Sequence, residues 1–327
     1  MTELDAWLVF LYVLVFPGIF FLLGYSFFAE WFDRKMYAKM QNRVGPPLVQ
    51  PFADFIKLLS KEDIMPEGVE AKPYNVLPLF AFAAVATSFI YIPTFMSSSP
   101  VGFQGDLLLV LYMLTLPTII LFLVGWYSHN TFATIGAYRA VSQLFVYEVP
   151  LFIAALGPAL WVKSWSVSDI VSWQQGNPWL FLIQPLGFII AIICLQAKLE
   201  RIPFDIPEAE TEIVGGPLVE YSGRKLALFR IATDMLMVTG ASLIAALFLG
   251  GPSVGFSLDS LPFWAAGVIG FVAFLLKTLL IVFLLSFIRA AFARLRIDQM
   301  TSFGWKWLAS LALFQLFLVI GMRMVVQ

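Results

Sequence analysis

Residues that hold metals and redox clusters are nearly absent from this sequence. Its 327 residues include one cysteine, Cys194, and one histidine, His129. A single cysteine excludes an internal disulfide and any cluster held by several cysteines of this chain. A single histidine argues against a zinc or haem site built from this chain alone. We therefore expect the chain to bind no metal or cofactor itself, so that partner subunits carry any electrons.

Charge is also scarce. The chain is 13% charged and 60% apolar, against about 25% and about 45–50% in soluble globular proteins. This composition excludes a soluble enzyme, and the 20 Lys and Arg against 21 Asp and Glu leave no basic excess for a nucleic-acid partner. Walker sequences, glycine-rich dinucleotide loops and strand patterns are missing as well. With a mean hydropathy of +0.87, the chain is expected to be an integral membrane protein.

Long apolar segments recur along the whole chain. A membrane-spanning helix needs about 20 mostly apolar residues, and the sequence predicts a single membrane domain over residues 1–327. The predicted spans are residues 6–29, 76–96, 107–127, 141–162, 179–197, 227–250, 262–288 and 304–325. We therefore expect an all-α integral membrane protein: a bundle of about eight transmembrane helices in the lipid bilayer, with an interfacial amphipathic helix and long cytoplasmic loops.

The basic residues predict an orientation. Most Lys and Arg side chains fall in alternate loops, the long ones at residues 30–75, 198–226 and 289–303. The intervening loops are short and carry few: residues 97–106, 163–178 and 251–261. Because Lys and Arg are enriched in cytoplasmic loops, we expect a multi-pass protein of the cell membrane with its long loops in the cytoplasm and both termini outside.

The first long loop contains an amphipathic segment. After Pro51, the apolar residues Phe52, Phe55 and Ile56 fall mostly on one helical face, with Asp54 and Lys57 mostly opposite. This pattern predicts a helix of about three turns lying in the membrane interface. It serves either as a surface anchor or as the lining of a cavity mouth.

The loop at residues 198–226, here called the acidic loop, is the most informative part of the sequence. It contains six acids: Glu200, Asp205, Glu208, Glu210, Glu212 and Glu220. Pro207 is expected to begin a helix, which would place Glu208 and Glu212 on one face. Crowded carboxyls in partly apolar surroundings raise one another's pKa, so they can hold and pass protons near neutral pH. The alternative is a solvated loop whose acids balance basic residues such as Arg201 and Arg224.

Ionisable residues also fall inside predicted spans. The most informative are Glu148, Asp234 and Lys277. A charge in hydrocarbon costs about 2.5–3.5 kcal/mol even on insertion scales, so such residues usually face a polar interior. Together with the acidic loop they suggest proton or ion movement across the bundle. The alternative is ion pairs that only hold helices together.

Three motifs resemble those of a known family. They are Gln41-Asn-Arg-Val-Gly-Pro with Gln50-Pro-Phe-Ala-Asp, then Arg201-Ile-Pro-Phe-Asp-Ile-Pro-Glu-Ala-Glu-Thr-Glu with Val219-Glu-Tyr-Ser-Gly, and Arg294-Leu-Arg-Ile-Asp-Gln with Gly304-Trp-Lys. The sequence thereby resembles the H subunit of respiratory complex I, the proton-translocating NADH:quinone oxidoreductase, and its relatives in energy-converting membrane-bound hydrogenases. The resemblance implies a non-catalytic membrane foot that docks a soluble redox arm and relays its energy to antiporter-like subunits.

The resemblance also implies roles for individual residues. Ion coupling would involve Glu148, Asp205, Glu208, Glu210, Glu212 and Glu220, and the charges inside the predicted spans add Asp234 and Lys277. The chamber mouth and the docking surface would involve Arg43, Asp54, Lys57, Arg201, Arg224, Arg294, Arg296 and Asp298. Where the family has its acid in span six, this chain has Thr233, and Asp234 follows one residue later.

Details of the motifs favour the hydrogenase branch over the quinone branch. Gly45-Pro-Pro, Ala53-Asp-Phe-Ile-Lys-Leu-Leu and Arg224 resemble the foot subunit of [NiFe] hydrogenases or of a sulfur-reducing relative. The implied partners are hydrogenase-like large and small (Fe-S) subunits and antiporter-like membrane subunits, with Fe-S clusters and a [NiFe] centre held by those partners. One alternative is a subunit that binds a quinone or phenazine, and another is a stand-alone ion or solute carrier.

Overall fold

Helices form all the regular structure in the described part of the chain. The computed structural model describes residues 10–255 and 262–326. Beyond a short turn of helix at residues 10–14, the helices are α1 (Ile19–Met40), α2 (Gln50–Ser60), α3 (Ala71–Ile90), α4 (Asp106–Tyr127), α5 (Thr131–Val162), α6 (Val167–Trp173), α7 (Leu180–Ile183), α8 (Pro185–Lys198), α9 (Glu210–Ile213), α10 (Gly223–Leu249), α11 (Phe263–Ala291), α12 (Ile297–Phe303) and α13 (Ser310–Val326). A 3₁₀ turn covers Gly216–Leu218, and a π-helical segment, Gly304–Ala309, joins α12 to α13.

Helix α10 lies at the centre of the bundle. Within its most apolar window 89% of the residues are buried inside the chain, against 28–50% for the other long helices. Its sequence explains this position, because small residues such as Gly240 and Ala241 let neighbouring helices approach closely. A Cβ atom at Gly240 would lie 2.3 Å from Leu195 Cδ1 on α8. The helices around α10 therefore present their outer faces to lipid or to partners.

Seven helices in the described part of the chain are long and apolar enough to cross a membrane. They are Phe10–Met40, Ala71–Ile90, Asp106–Tyr127, Thr131–Val162, Gly223–Leu249, Trp264–Ala291 and Ile297–Val325. The remaining predicted span, residues 179–197, is not one continuous helix. It is divided into α7 and α8 at Gln184, because Pro185 lacks the N–H that a continuous helix needs there. Helix α8 is about 21 Å long at 1.5 Å per residue, shorter than the hydrocarbon core of about 30 Å.

Several helices extend beyond the predicted spans. Helix α1 continues to Met40 rather than ending at residue 29, and α5 begins at Thr131 rather than at residue 141. Hydropathy falls where charged residues begin, so it marks the end of the apolar segment and not the end of the helix. Charged residues four apart, such as Glu30 and Arg34 on α1, form ion pairs along a continuing helix. These helices therefore carry charged side chains beyond the apolar region, to the loops at one end of the bundle.

The predicted amphipathic helix is confirmed as α2, but the prediction that a helix begins at Pro207 is wrong. The acidic loop forms only one helical turn, α9, which begins at Glu210. It ends at Ile213 and is followed by Val214, which has a φ of +64°, and by Gly216, which has a φ of +57°. A Cβ atom at Gly216 would lie 1.9 Å from the carbonyl oxygen of Pro207, so the chain folds back tightly on itself.

The loops gather in two groups at opposite ends of the helices. Contacts such as Leu295 N to Pro203 O at 3.0 Å join the predicted cytoplasmic loops. We call this the basic end, formed by residues 41–70, 199–222 and 292–296. The other group, residues 91–105, 163–179 and 250–255, is joined by contacts such as Ser99 N to Ser168 Oγ at 3.0 Å. We call it the neutral end.

Candidate functional site

A cavity of about 1030 Å³ opens among the helices at the basic end. Its walls come from α1, α2, α3, α4, α8, α10, the end of α11 with the segment that follows it, and the acidic loop. Its ionisable lining residues are Glu30, Arg34, Asp54, Lys57, Lys198, Glu200, Arg201, Asp205, Glu208, Glu210, Arg230, Asp234, Arg289 and Arg294. So many charged groups in one concave space favour a water-accessible chamber in which charges and protons can move.

Arg201 lies at the centre of a buried charge network on one wall of the cavity. Its Nη2 atom is 2.7 Å from Glu30 Oε2, and its Nη1 atom is 2.9 Å from Asp33 Oδ2. Arg34 Nε is 2.6 Å from Glu30 Oε1. The acidic loop is thereby fixed to α1. Removing one partner of such a buried network leaves an uncompensated charge, which is strongly destabilising.

Asp33 has no exposed surface and joins three elements. In addition to Arg201, its carboxylate accepts hydrogen bonds from Arg289 Nη1 at 3.1 Å and Ser286 Oγ at 2.6 Å. Arg289 also lies over the Tyr37 ring, with its Cζ atom 4.5 Å from the ring centroid. Asp33 therefore connects α1, α11 and the acidic loop beside the cavity.

Helix α2 forms one side of the cavity mouth. Asp54 Oδ2 is 2.9 Å from Arg34 Nη1, and Asp54 Oδ1 is 3.7 Å from Lys57 Nζ. Desolvation alone would raise the pKa of Asp54, but the hydrogen bonds from Arg34 and Gln50 lower it below its ordinary value. Asp54 is therefore an ionised residue at the mouth. Phe55 of α2 packs on Phe27, with their ring centroids 5.6 Å apart.

Arg294 connects two acids of the acidic loop. Its Nε atom is 3.3 Å from Asp205 Oδ1, and its Nη2 atom is 3.4 Å from Glu212 Oε1. Glu212 also accepts a hydrogen bond of 2.6 Å from Arg139 Nη1 on α5, and this bond is the main reason that its pKa is lowered. Desolvation raises the pKa of Asp205, partly opposed by Arg294. The two acids thus share one cation, but their pKa values are shifted in opposite directions.

The remaining cavity acids have fewer partners. Glu200 and Glu208 are half-buried, Glu210 is exposed, and Asp234 faces the same cavity from α10. Burial and the neighbouring charge of Glu208 raise the pKa of Glu200 well above its ordinary value. The cavity therefore contains a protonatable carboxyl on the acidic loop.

Glu148 forms an ion pair with a lysine on α8. Lys198 Nζ is 3.1 Å from Glu148 Oε1 and 2.8 Å from Glu148 Oε2. Lys198 lines the cavity, and Tyr147, beside Glu148, exchanges a hydrogen bond of 2.9 Å with Thr118. The pair accounts for an acid within α5 and also connects that helix electrostatically to the cavity.

Glu220 and Arg224 lie at the far end of the acidic loop, outside the cavity lining. Glu220 Oε1 accepts a hydrogen bond of 2.5 Å from Asn130 Nδ2. Arg224 is largely exposed, with Nη2 3.9 Å from Asp63 Oδ2, whereas the next residue, Lys225, makes the closer contact of 3.1 Å with Asp63. These contacts attach the acidic loop to the loops that precede α3 and α5.

Besides Glu148, Glu212, Glu220 and Arg224, four of the predicted site residues lie apart from the cavity lining. Lys277 is at the neutral end, where its ammonium donates hydrogen bonds to the carbonyl oxygens of Leu249, Gly251 and Ser253. The other three, Arg43, Arg296 and Asp298, are exposed at the basic end. The structure thus leaves Lys277 at the other end of α10 and brings together at the cavity Asp205, Glu208, Glu210, Asp54, Asp234 and Arg294.

The sequence analysis missed several members of the site, chiefly Glu30, Asp33, Arg34, Lys198 and Arg289. Glu30 and Asp33 fall in a predicted loop because the predicted span ends at residue 29. Their spacing of three, with Arg34 one residue later, is a helical signal that could have placed them on one face of α1. No group of three or more His, Cys, Asp or Glu suited to a metal ion occurs among residues 10–255 and 262–326.

Comparison with known proteins shows the family to which this chain belongs. The NADH dehydrogenase family model matches residues 12–320. The H subunit of the NADH-quinone oxidoreductase of Carboxydothermus hydrogenoformans is 35% identical over 317 residues, which are 95% of this chain and 88% of that protein. The same subunit of Brevibacillus brevis is 39% identical over 305 residues, with 91% of this chain and 88% of that protein covered.

A solved structure is also similar. A chain of the membrane-bound sulfane sulfur reductase, an archaeal respiratory membrane complex, matches with a TM-score of 0.81 and 29% sequence identity. The match covers 92% of this chain and 96% of that chain. The resemblance suggested by the three sequence motifs is therefore confirmed. This chain belongs to the NADH dehydrogenase family and is the H subunit of a complex I-like membrane complex.

Proposed function

We propose that this chain is the ion-coupling membrane foot of its complex. A soluble redox arm with [NiFe]-hydrogenase-like large and small (Fe-S) subunits would dock on the basic end, and antiporter-like subunits would contact the membrane-facing helices. The observation that carries this proposal is the cavity, because it faces the basic end and is lined by Asp205, Glu208 and Glu210 of the acidic loop. The chain itself would contribute no redox group.

The coupling acids would act through a change of charge partners. Arg294 is shared between Asp205 and Glu212, so a charge or proton delivered by the arm would shift its preference between the two carboxylates. A cation bound to one acid favours the ionised form of that acid. A redox event above the membrane would thereby change the protonation of the acidic loop.

Glu148 supplies a route from the cavity to the periphery of the chain. Its partner Lys198 lines the cavity, whereas neighbouring residues of α5, such as Phe145 and Val149, are exposed. A proton that enters the cavity would weaken the pair between Lys198 and Glu148 electrostatically. The altered pair would then act on an antiporter-like subunit packed on α5.

Pumping measurements on the purified, reconstituted complex test the coupling role. Glu212→Gln, Glu220→Gln and Glu148→Gln should each lower the number of ions pumped per electron in complexes that still assemble. Glu67→Gln is the matched control, because Glu67 is an exposed acid at the same end that is not part of the predicted site. Unchanged pumping in all three variants would remove the acidic loop and Glu148 from the mechanism, and failed assembly of Glu148→Gln alone would make its pair with Lys198 structural.

The metal content of the intact complex, purified through a tag on this chain, tests the nature of the arm. Iron with stoichiometric nickel would establish a hydrogenase arm. Iron without nickel would indicate a sulfur-reducing or quinone-type arm, and an acceptor assay would separate these two. A complex with neither metal would overturn the docking proposal.

A quinone or another lipid-soluble acceptor is the second candidate ligand of the cavity. It is favoured by the aromatic side of the mouth, where Phe27 packs against both Phe52 and Phe55 of α2. Such an acceptor needs an apolar entrance from the lipid as well as a polar end for its head group. Phe55→Ser should raise the KM for a quinone analogue if this entrance is used, and should leave reduction of a soluble acceptor unchanged.

A further inference from the structure

Glu200 occupies an unusual backbone position at the edge of the cavity. It is the second residue after α8, which ends at Lys198, and its φ is +53°. Glycine and asparagine adopt this left-handed conformation with less strain than glutamate does. The position also lies at the carboxyl end of a helix, where the partial negative charge of the last carbonyl groups disfavours a carboxylate. A glutamate there is thus poorly suited to being ionised.

The side chain of Glu200 has no compensating cation. Within residues 10–255 and 262–326, no ion pair or hydrogen bond of its carboxyl group occurs, although it lines the cavity. The lysine two residues before it, Lys198, is directed to both oxygens of Glu148. The adjacent Arg201 is directed to Glu30 and Asp33. Both basic neighbours of Glu200 in the chain are therefore already paired.

The charged groups that surround Glu200 come from several elements. Glu208 on its own loop and the titratable Tyr147 on α5 interact with it electrostatically, and the same cavity is lined by Lys198, which pairs with Glu148, and by Arg230 and Asp234 on α10. The pair formed by Lys198 and Glu148 is close to neutral as a unit, so Glu208 is the uncompensated neighbour. Two carboxyl groups near each other in a partly desolvated space do not both ionise readily.

From this geometry we infer that Glu200 is a proton-holding site of the cavity, carrying one proton at neutral pH that it can pass to Glu208. The transfer balances simply. An O–H bond of the Glu200 carboxyl breaks, one forms on a Glu208 carboxylate oxygen through solvent in the cavity, and the pair keeps a net charge of −1. That this proton serves ion coupling rests on the proposed function. That Glu200 holds a proton does not depend on the proposed function.

The direction of the pKa shift agrees with the geometry. Desolvation raises the pKa of the Glu200 carboxyl well above its usual range, and the charge of Glu208 raises it further. Because a raised pKa keeps an acid protonated, Glu200 remains neutral at pH values at which an exposed glutamate is ionised. Removing the charge of Glu208 should therefore lower the pKa of Glu200.

Infrared difference spectroscopy on the purified complex tests the inference directly. The protonated carboxyl C=O band of the wild type, recorded as the pH is varied around neutrality, should lose a component in Glu200→Gln. That component should persist in Asp234→Asn, the control for the other carboxyl facing the cavity from α10. In Glu208→Gln its midpoint should move to lower pH. Gln has the shape of a protonated glutamate, so the Glu200→Gln complex should assemble.

The outcomes separate this inference from the proposed function. A carboxyl band that is the same in Glu200→Gln as in the wild type would overturn the inference, whatever the pumping stoichiometry. A component lost only in Glu200→Gln establishes the site, even if ion pumping is normal, and normal pumping would then count against the coupling proposal instead. If Glu200→Gln does not assemble, the shift of the midpoint in Glu208→Gln decides, and a midpoint that does not move would refute the pairing of Glu200 with Glu208.

Discussion

At the level of single residues, Asp33 shows how a buried charge in this chain is paired. Asp33 has no exposed surface, yet Arg201, Arg289 and Ser286 satisfy its carboxylate. A buried ion network contributes little net stability compared with apolar packing, but breaking it from one side is costly. The network therefore specifies how α1, α11 and the acidic loop meet beside the cavity.

Asp33→Ala should destabilise the protein strongly. The substitution removes the carboxylate and leaves two guanidinium groups without their buried partner, which costs about 3–5 kcal/mol in comparable networks. The measurement is the thermal unfolding midpoint of the purified chain or complex in detergent. Asp298→Ala is the control, because removing this exposed carboxylate should hardly change the unfolding midpoint. Similar midpoints for the two variants would show that the Asp33 network does not hold these elements together.

Lys277 is the residue for which sequence and structure suggest different roles. Its ammonium caps the end of α10 through three carbonyl oxygens and lies 4.7 Å from the centroid of the Trp179 ring. Lys277→Met should cost about 1–3 kcal/mol of stability, because buried carbonyl groups lose their donor, while the ions pumped per electron remain unchanged. The exposed Lys306→Met is the control for stability. If Lys277→Met has wild-type stability but pumps fewer ions per electron, Lys277 takes part in ion coupling.

At the level of elements, a strap of chain connects the cavity mouth to the acidic loop. Residues 61–64, which follow α2, cross the start of α10, where Ile64 N donates to Ser222 Oγ at 3.0 Å. Lys225 Nζ lies 4.3 Å from the centroid of the Tyr74 ring, and the Tyr74 and Tyr221 rings stack at 4.2 Å. Displacement of α2 by a docked partner would therefore be transmitted to the end of the acidic loop.

Gly223→Ala should detach this strap. Gly223 has a φ of +57°, and a Cβ atom there would lie 2.8 Å from Glu62 O and 2.9 Å from Lys61 O. Both the strained backbone and the close carbonyl groups predict a loss of more than about 1 kcal/mol, seen as faster proteolysis within residues 61–70. Gly24→Ala is the matched control, since no atom lies within 4 Å of that Cβ position. Equal cleavage rates in the two variants would contradict the proposed connection.

At the level of the whole molecule, the sequence predicted the helical class and the confirmed family, but not the geometry of the site. Hydropathy identified the membrane-spanning helices, because side chains that face lipid must be apolar. It did not find the ends of helices such as α1, which continue into charged sequence beyond the apolar region. It also could not show that Pro185 divides a predicted span. Partners distant in sequence, such as Asp33 and Arg289, are brought together only by packing. Asp205, Glu208 and Glu210 were found because local crowding of acids is visible in one loop.

The grouping of loops at two ends leads to a prediction about orientation. The basic end should face the cytoplasm, because Lys and Arg are retained there, and the only cysteine, Cys194, is buried. A membrane-impermeant thiol reagent applied to intact cells should therefore label Asn177→Cys at the neutral end and not Ser60→Cys at the basic end. Both exposed positions should react after denaturation, which controls for shielding by partners. Labelling of Ser60→Cys in intact cells would invert the topology and place the cavity mouth outside, where a cytoplasmic redox arm could not dock.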